Sequence, residues 1–250
     1  MSDDLLFLRA LVVSPEAGFC DLFERAAAAS SAPVEIVQAG DAASACGLFA
    51  GSVDLVYLDD TLSPTDTASV AAAARGAPSK PFTVQLAPAR AEIAFATDAL
   101  ADKPLQTNDA KRLLESSLRT KRTSRVLVVD DSSTMRSIVR KTLAATRFPF
   151  EVLEVDEGFT ALKLVRDHDI HLVFLDYNLP EFSGLETLAE FKREDRPVSV
   201  VMITSTQDEA VALHARKLGA AFLRKPFFPA DIETALCDFY GLRALNPKPS

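Results

Sequence analysis

The sequence predicts an α/β protein made of two open parallel sheets, each of five strands and covered by helices on both faces. Three observations carry this. Short runs rich in Val, Leu and Ile alternate with stretches of helical apolar period; polar residues stand just beyond the runs; and the whole pattern occurs twice. A chain of 250 residues, 48% of them apolar, has room for two ordinary domains, each with its own core.

The pattern is clearest in the second half. Strands are expected over 125–130, 150–155, 171–176, 198–203 and 221–224, and helices over 133–145, 158–167, 184–194, 207–218 and 229–240. Met135, Ile138, Val139 and Leu143 share one helical face, as do Ile232, Ala235, Leu236 and Phe239. Ser132 or Ser133 can cap the first of these helices, Gly219 can close the fourth, and Pro229 suits the first turn of the last. Four polar signals follow four of the strands: Asp130-Asp131 after VLVV, Asp176 after LVFL, Thr204 after VVMI and Lys225-Pro226 after AFLR. A parallel sheet gathers them on one rim, outside the carboxyl ends of the strands, where such folds bind ligands. Three carboxylates there make an oxygen-lined site suited to Mg²⁺, and a hydroxyl with an ammonium suits a phosphoryl group.

The first half repeats this pattern in weaker form. LRALVVS (8–14) aligns with RVLVVDD, VDLVYLDDTLSP (53–64) with IHLVFLDYNLP, and LADKPL (100–105) with LRKPFF. The expected domains are 5–120 and 125–245, joined by the polar stretch Leu118–Ser124. The helix expected over about 107–120 runs into that stretch. It has no Gly or Pro, so a stiff connection is expected.

Composition removes several function classes. Net charge is −8 and acidic residues outnumber basic ones in both halves, which argues against a nucleic-acid surface. Cys20, Cys46 and Cys237 are odd in number and widely spaced, against a disulfide framework or zinc site and in favour of a reducing cytoplasm. No apolar run is long enough for a membrane span, and the acidic start MSDDLLFLR does not suit a signal peptide. His168 and His171 flank one strand without companion ligands and read as surface residues. The basic run near Lys121 and Arg122 reads as a solvated linker, and Cys237 as packing.

The ordered signals of the second half, with the stretch VLVVDDSSTMRSIVRKTL, resemble the receiver domains of bacterial two-component response regulators, and most of all the stand-alone chemotaxis-type receivers. The resemblance implies two flavodoxin-like (βα)5 domains. It implies that Asp176 accepts a phosphoryl group from a histidine kinase or a histidine phosphotransfer protein. Asp130, Asp131, Asp176 and the backbone carbonyl of Asn178 would hold Mg²⁺. Lys225 and Thr204 would bind phosphoryl oxygens, and Phe222 would be the aromatic that follows the threonine inward. Phe222 lacks the hydroxyl of the Tyr more common in the family. Asn178 and Thr206 would line the path of hydrolytic water, and Lys225-Pro226 matches the family's cis peptide. The chemistry is self-consistent: a carboxylate attacks phosphorus in line while a metal and a cation neutralise the transferring oxygens.

Against that pattern the first half has lost much of its site. Ser14 and Pro15 replace the acidic pair, and Ala87 and Pro88 stand where the threonine belongs, while Asp59 and Lys103-Pro104 remain. Asp60 is expected to point away. Ala87 and Lys103 are 16 positions apart, against 21 from Thr204 to Lys225, which predicts a shortened or unravelled fourth helix. Residues 5–120 therefore read as a pseudo-receiver in which Asp59 and Lys103 form a supporting ion pair.

No output module is recognised after residue 245, and Asn246–Ser250 reads as a tail. The expected function is a phosphoacceptor signalling protein, not an enzyme. It would work in the cytoplasm by altered binding to a downstream protein or by homodimerisation, with the first domain as platform and no nucleic-acid or membrane partner. Two alternatives stand beside it: a phosphate sink or relay intermediate, and a constitutive scaffold. A haloacid-type hydrolase ranks below these, because Asn178 stands where that class places a second acid.

Overall fold

The computed structural model describes residues 8–88, 97–180, 182–194, 196 and 198–245. The described residues form two compact units, one comprising those up to Lys121 together with 240–245, the other those within Arg122–Phe239. Among the described residues no helix is long and apolar enough to cross a membrane.

The N-terminal unit runs β1 (Leu8–Val13), α1 (Ala17–Ala28), β2 (Val34–Ala39), α2 (Ala42–Leu48), β3 (Leu55–Leu58), α3 (Pro64–Gly76), β4 (Phe82–Leu86), β5 (Ala99–Ala101) and α4 (Thr107–Arg119). Its sheet has the order β2-β1-β3-β4-β5, with every pair parallel. The central strands β3 and β4 are buried along their whole length, as expected of strands covered on both faces. The expected shortened helix between Ala87 and Lys103 falls mainly on 89–96, outside the described residues.

The second unit runs β6 (Ser124–Val129), α5 (Ser133–Ala145), β7 (Phe150–Val155), α6 (Gly158–Asp167), β8 (Leu172–Asp176), α7 (Gly184–Phe191), β9 (Ser199–Thr204), α8 (Glu209–Lys217), β10 (Ala221–Arg224) and α9 (Pro229–Phe239). The order β10-β9-β8-β6-β7 is the topology of the first sheet read from the other edge. In both units the first strand pairs with the second on one side and the third on the other. That reversal of winding opens a crevice at the carboxyl ends of the first and third strands.

The chain explains the helix ends. Ser132 caps α5 by accepting from Met135 N, and Ser183 with Glu186 forms a capping box on α7. Gly219, at φ +74°, ends α8 in the left-handed conformation that favours glycine. Three helices are shorter than expected, α9 by a single residue at its end. α8 starts at Glu209 because the Asp208 carboxylate takes the cap, accepting from Ala210 N, and α7 stops at Phe191 because Lys192-Arg193-Glu194 offers the sheet no apolar side chain. Val139 and Leu143 of α5 are buried, but Ile138, expected on the same face, is 43% exposed. It lies instead beside an open apolar depression of about 450 Å³ shared with Met135, Ser205, Lys225, Pro226 and Phe227.

Residues 240–245, expected to close the second domain, pack with the first sheet. Tyr240, Leu242 and Ala244 are buried there, and Arg243 bridges Leu100 on the outer side of β5. A free sheet edge supplies unpaired N–H and C=O groups, and this segment satisfies some of them.

Candidate functional site

In the C-terminal unit the rim of the sheet brings together residues separated by almost a hundred positions. Asp130 follows β6, Asp176 ends β8, and both are 3% exposed; Thr204 ends β9 with no exposure. Lys225 follows β10, where its N–H donates to Thr204 O at 2.7 Å and extends the ladder by one step. The peptide bond to Pro226 is cis. Lys225 Nζ donates to Asp130 Oδ2 at 2.9 Å and lies 3.0 Å from Asp176 Oδ1.

The second of these contacts is an ion pair without hydrogen-bond direction, since Asp176 Oδ1 is buried and has no hydrogen-bond donor. Carboxylate oxygens of Asp130, Asp131 and Asp176 all lie within 4.8 Å of one another, with Asp131 exposed at the mouth. An all-carboxylate donor set at that spacing, holding one orphaned buried oxygen, fits a hard divalent cation. Burial pushes the Asp176 carboxyl above the usual carboxylate range, and the Lys225 ammonium opposes that push without cancelling it. Lys225 itself is held above the usual lysine range: burial works the other way, and the Asp130 and Asp176 carboxylates outweigh it.

The remaining expected residues surround this centre. Asn178 is exposed two positions beyond Asp176, with its side-chain amide 3.5 Å from Ser205 Oγ. Thr204 Oγ1 accepts from Thr206 N at 3.0 Å, and among the described residues no acceptor takes its hydroxyl proton. Phe222 is half-buried against the core, with the Arg224 guanidinium 6.0 Å from its ring centroid. Arg224 in turn pairs with Glu209.

Two residues escaped the sequence reading. Arg136 donates from Nη1 to the carbonyl oxygen of Asp130 at 2.7 Å, and so positions the turn that carries the acidic pair. No sequence signal marks it, because a basic residue in the first turns of a helix usually faces solvent. Gly184 packs against the end of β8: a Cβ there would lie 2.3 Å from Asp176 O and 2.8 Å from Tyr177 Cα. A glycine directly after a Ser cap, where any helix former would serve, was the available hint.

The N-terminal unit builds a different centre at the same place. Asp59 is fully buried; Lys103 Nζ lies 2.7 Å from its Oδ1, while Ser14 Oγ (2.6 Å) and Thr61 Oγ1 (2.8 Å) both donate to its Oδ2. Burial raises the Asp59 carboxyl, but Lys103, Ser14 and Thr61 together hold it below the usual range. Asp60, expected to point away, accepts from Lys103 Nζ at 2.8 Å, because the long lysine reaches past Asp59 to the rim. Pro15 supplies no carboxylate, and Ala87 and Pro88 supply no hydroxyl. Among the described residues, the groups of acids close enough to share a cation are confined to Asp130, Asp131 and Asp176.

Residues 126–237 match the model of the response regulator receiver domain. The chemotaxis protein CheY homolog of Campylobacter jejuni (strain 81-176) is 39% identical over 124 residues, which cover 47% of this chain and 92% of that protein. Chemotaxis protein CheY1 of Helicobacter pylori (strain J99) is 34% identical over 116 residues, 45% of this chain and 93% of that one. The chain belongs to the response regulator receiver family, and the matches indicate a signalling protein rather than an enzyme that turns over a free substrate. A solved structure described as a probable two-component system response regulator/GGDEF domain protein superposes over 94% of this chain and 98% of its own, with a TM-score of 0.57 and 20% identity. That likeness is one of fold, and it extends the flavodoxin-like receiver fold across both units.

Proposed function

We propose that the C-terminal unit accepts a phosphoryl group on Asp176 from a phosphohistidine of a kinase or phosphotransfer protein, and that the N-terminal unit is a pseudo-receiver serving as a docking or dimerisation platform. The observation that carries this is the gathering of the Asp176, Asp130 and Asp131 carboxylates within 4.8 Å of one another beside Lys225, which Asp59 lacks among the described residues. An Asp176 oxygen forms the new P–O bond as the P–N bond of the phosphohistidine breaks, and the imidazole leaves with the bonding electron pair. Mg²⁺, held by Asp130, Asp131, Asp176 and the Asn178 backbone carbonyl, would supply charge neutralisation for the transferring oxygens.

The protein groups divide the remaining work. Lys225 exchanges its contact with Asp130 for a phosphoryl oxygen, and Thr204 donates its free hydroxyl proton to another. The inward movement of Thr204 leaves space for Phe222, and the changed surface alters binding to a partner protein or a second copy. Asp59 has no such freedom. Lys103 pairs with its Oδ1, Ser14 and Thr61 both donate to its Oδ2, and Ser14 and Pro15 bring no carboxylates beside it for a cation, so a silent, folded platform is the reading this supports. Partners of this kind belong to the cytoplasm.

Intact mass after incubation with acetyl phosphate and Mg²⁺ tests the division. One added phosphoryl group, absent from Asp176→Asn and retained by Asp59→Asn, is expected. Two groups, or a single group lost with Asp59→Asn, overturn it.

A further inference from the structure

The outer edge of β5 in the N-terminal unit carries the chain's own residues 240–245. Leu100 N donates to Arg243 O and Arg243 N to Leu100 O, each at 2.8 Å, in one antiparallel bridge. The Arg243 side chain reaches across the strand ends, with Nη2 2.5 Å from Ala87 O and 3.2 Å from Asp102 Oδ1. Tyr240 is fully buried with the Arg119 guanidinium 5.7 Å from its ring centroid, and Leu242 is 3% exposed. Gly241, at φ +69°, makes the turn between these two plugs, and a Cβ there would come within 3.3 Å of Ser116 Oγ. Backbone pairing, a charged clamp and two apolar anchors are the ingredients of strand addition to a sheet edge.

The backbone pairing of the attachment is short. β5 has three residues and is bridged on this side through Leu100, whereas β1 and β2 pair over six positions. Openings that break two backbone hydrogen bonds are more frequent than openings of a full ladder. The segment is also the direct continuation of α9, which follows Lys225 and Pro226 along the chain.

We propose that residues 240–245 are a releasable strap on the β5 edge, hinged at Gly241, and that phosphoryl transfer to Asp176 shifts the strap toward release and bares that edge. The coupling rests on the phosphoacceptor reading of Asp176. Lys225 changes partners on phosphorylation, residues 226–228 carry that change into α9, and the last residue of α9, Phe239, immediately precedes the buried Tyr240.

Hydrogen exchange of the full chain, followed by mass spectrometry with and without Mg²⁺ and beryllofluoride as phosphoryl mimic, reads the strap directly. The amides of Leu100 and Arg243 are expected to exchange about tenfold faster with the mimic in the native chain, and to be unaffected by it in Asp176→Asn. Unchanged exchange in a chain whose Asp176 demonstrably carries the mimic overturns the coupling while leaving the phosphoacceptor reading intact. No uptake of the mimic overturns both. Arg243→Ala tests the strap apart from Asp176: faster Leu100 exchange without any mimic is expected, and native exchange in this variant sinks the strap itself.

Discussion

Gly184→Ala separates intrinsic helix preference from the packing that holds Asp176 at the end of β8. In an exposed helix the change stabilises by up to about 1 kcal/mol, because Ala loses less backbone entropy than Gly. Here the new Cβ would sit 2.3 Å from Asp176 O, 2.8 Å from Tyr177 Cα and 3.0 Å from Asp176 C, all backbone atoms that cannot rotate away. Ordinary C···O contacts begin near ~3.3 Å, so α7 and the end of β8 must separate by about 1 Å. Overpacking against backbone costs roughly 1–3 kcal/mol, and this overlap places the variant at the upper end, a net loss of about 2 kcal/mol after the helix gain. With a urea m-value of about 2 kcal/mol/M, the midpoint for the C-terminal unit falls by about 1 M. The same displacement moves the Asp176 main chain, so phosphorylation by acetyl phosphate slows as well. Gly47→Ala in α2 is the control, since a Cβ there meets nothing within 4 Å, and it is expected to stabilise the N-terminal unit by roughly 0.5–1 kcal/mol. A Gly184→Ala chain that unfolds at or above the native midpoint and phosphorylates normally refutes the reasoning.

Millimolar Mg²⁺ should raise the thermal midpoint of the C-terminal unit through linkage, and Asp130→Asn should remove most of that rise; equal rises in both chains in differential scanning calorimetry would contradict the assigned site. In the absence of metal the two buried aspartates should give opposite pH slopes. Asp176, raised by burial, contributes stability below its unfolded pKa that is lost as pH rises through the folded value, so the native chain declines relative to Asp176→Asn over that window. Asp59, held low by Lys103, Ser14 and Thr61 against burial, contributes stability above its unfolded pKa that is lost as pH falls toward the folded value. Asp59→Asn should therefore flatten the acid limb, and urea midpoints measured from about pH 3 to 8 check both signs. Finally, Ser14→Asp with Pro15→Asp restores two carboxylates beside Asp59. Calorimetric titration should then find one more divalent-cation site than in the native chain, and an unchanged number of sites would contradict the reasoning that the missing acids decide cation binding in this unit.

Much of the fold was legible because its signals are local. Apolar runs followed by caps such as Ser132, and by Gly219 at a helix end, mark elements without knowledge of their neighbours. Ile138 shows the limit: its helical spacing matches Val139 and Leu143, yet it faces an open depression, because the period assigns a face and only packing decides how wide the buried stripe is. Arg136 and Gly184 were hard to find for a related reason, since each acts on the backbone carbonyl of a site aspartate, and carbonyl positions leave no mark in residue identity.

By itself the sequence determined the α/β class, the repeated strand pattern, the parallel order that sends Asp130, Asp176, Thr204 and Lys225 to one rim, and the presence of Ser14 and Pro15 where the second unit has Asp130 and Asp131. These follow from the alternation of apolar runs and from which residue ends each run. The tertiary structure alone decided that Lys225 spans Asp130 and Asp176 while leaving one Asp176 oxygen without a donor, that Asp60 joins Asp59 on Lys103, and that residues 240–245 close the first sheet. Each depends on angles and distances between groups tens of residues or more apart, which a one-dimensional pattern does not encode until the sheets bring those groups together.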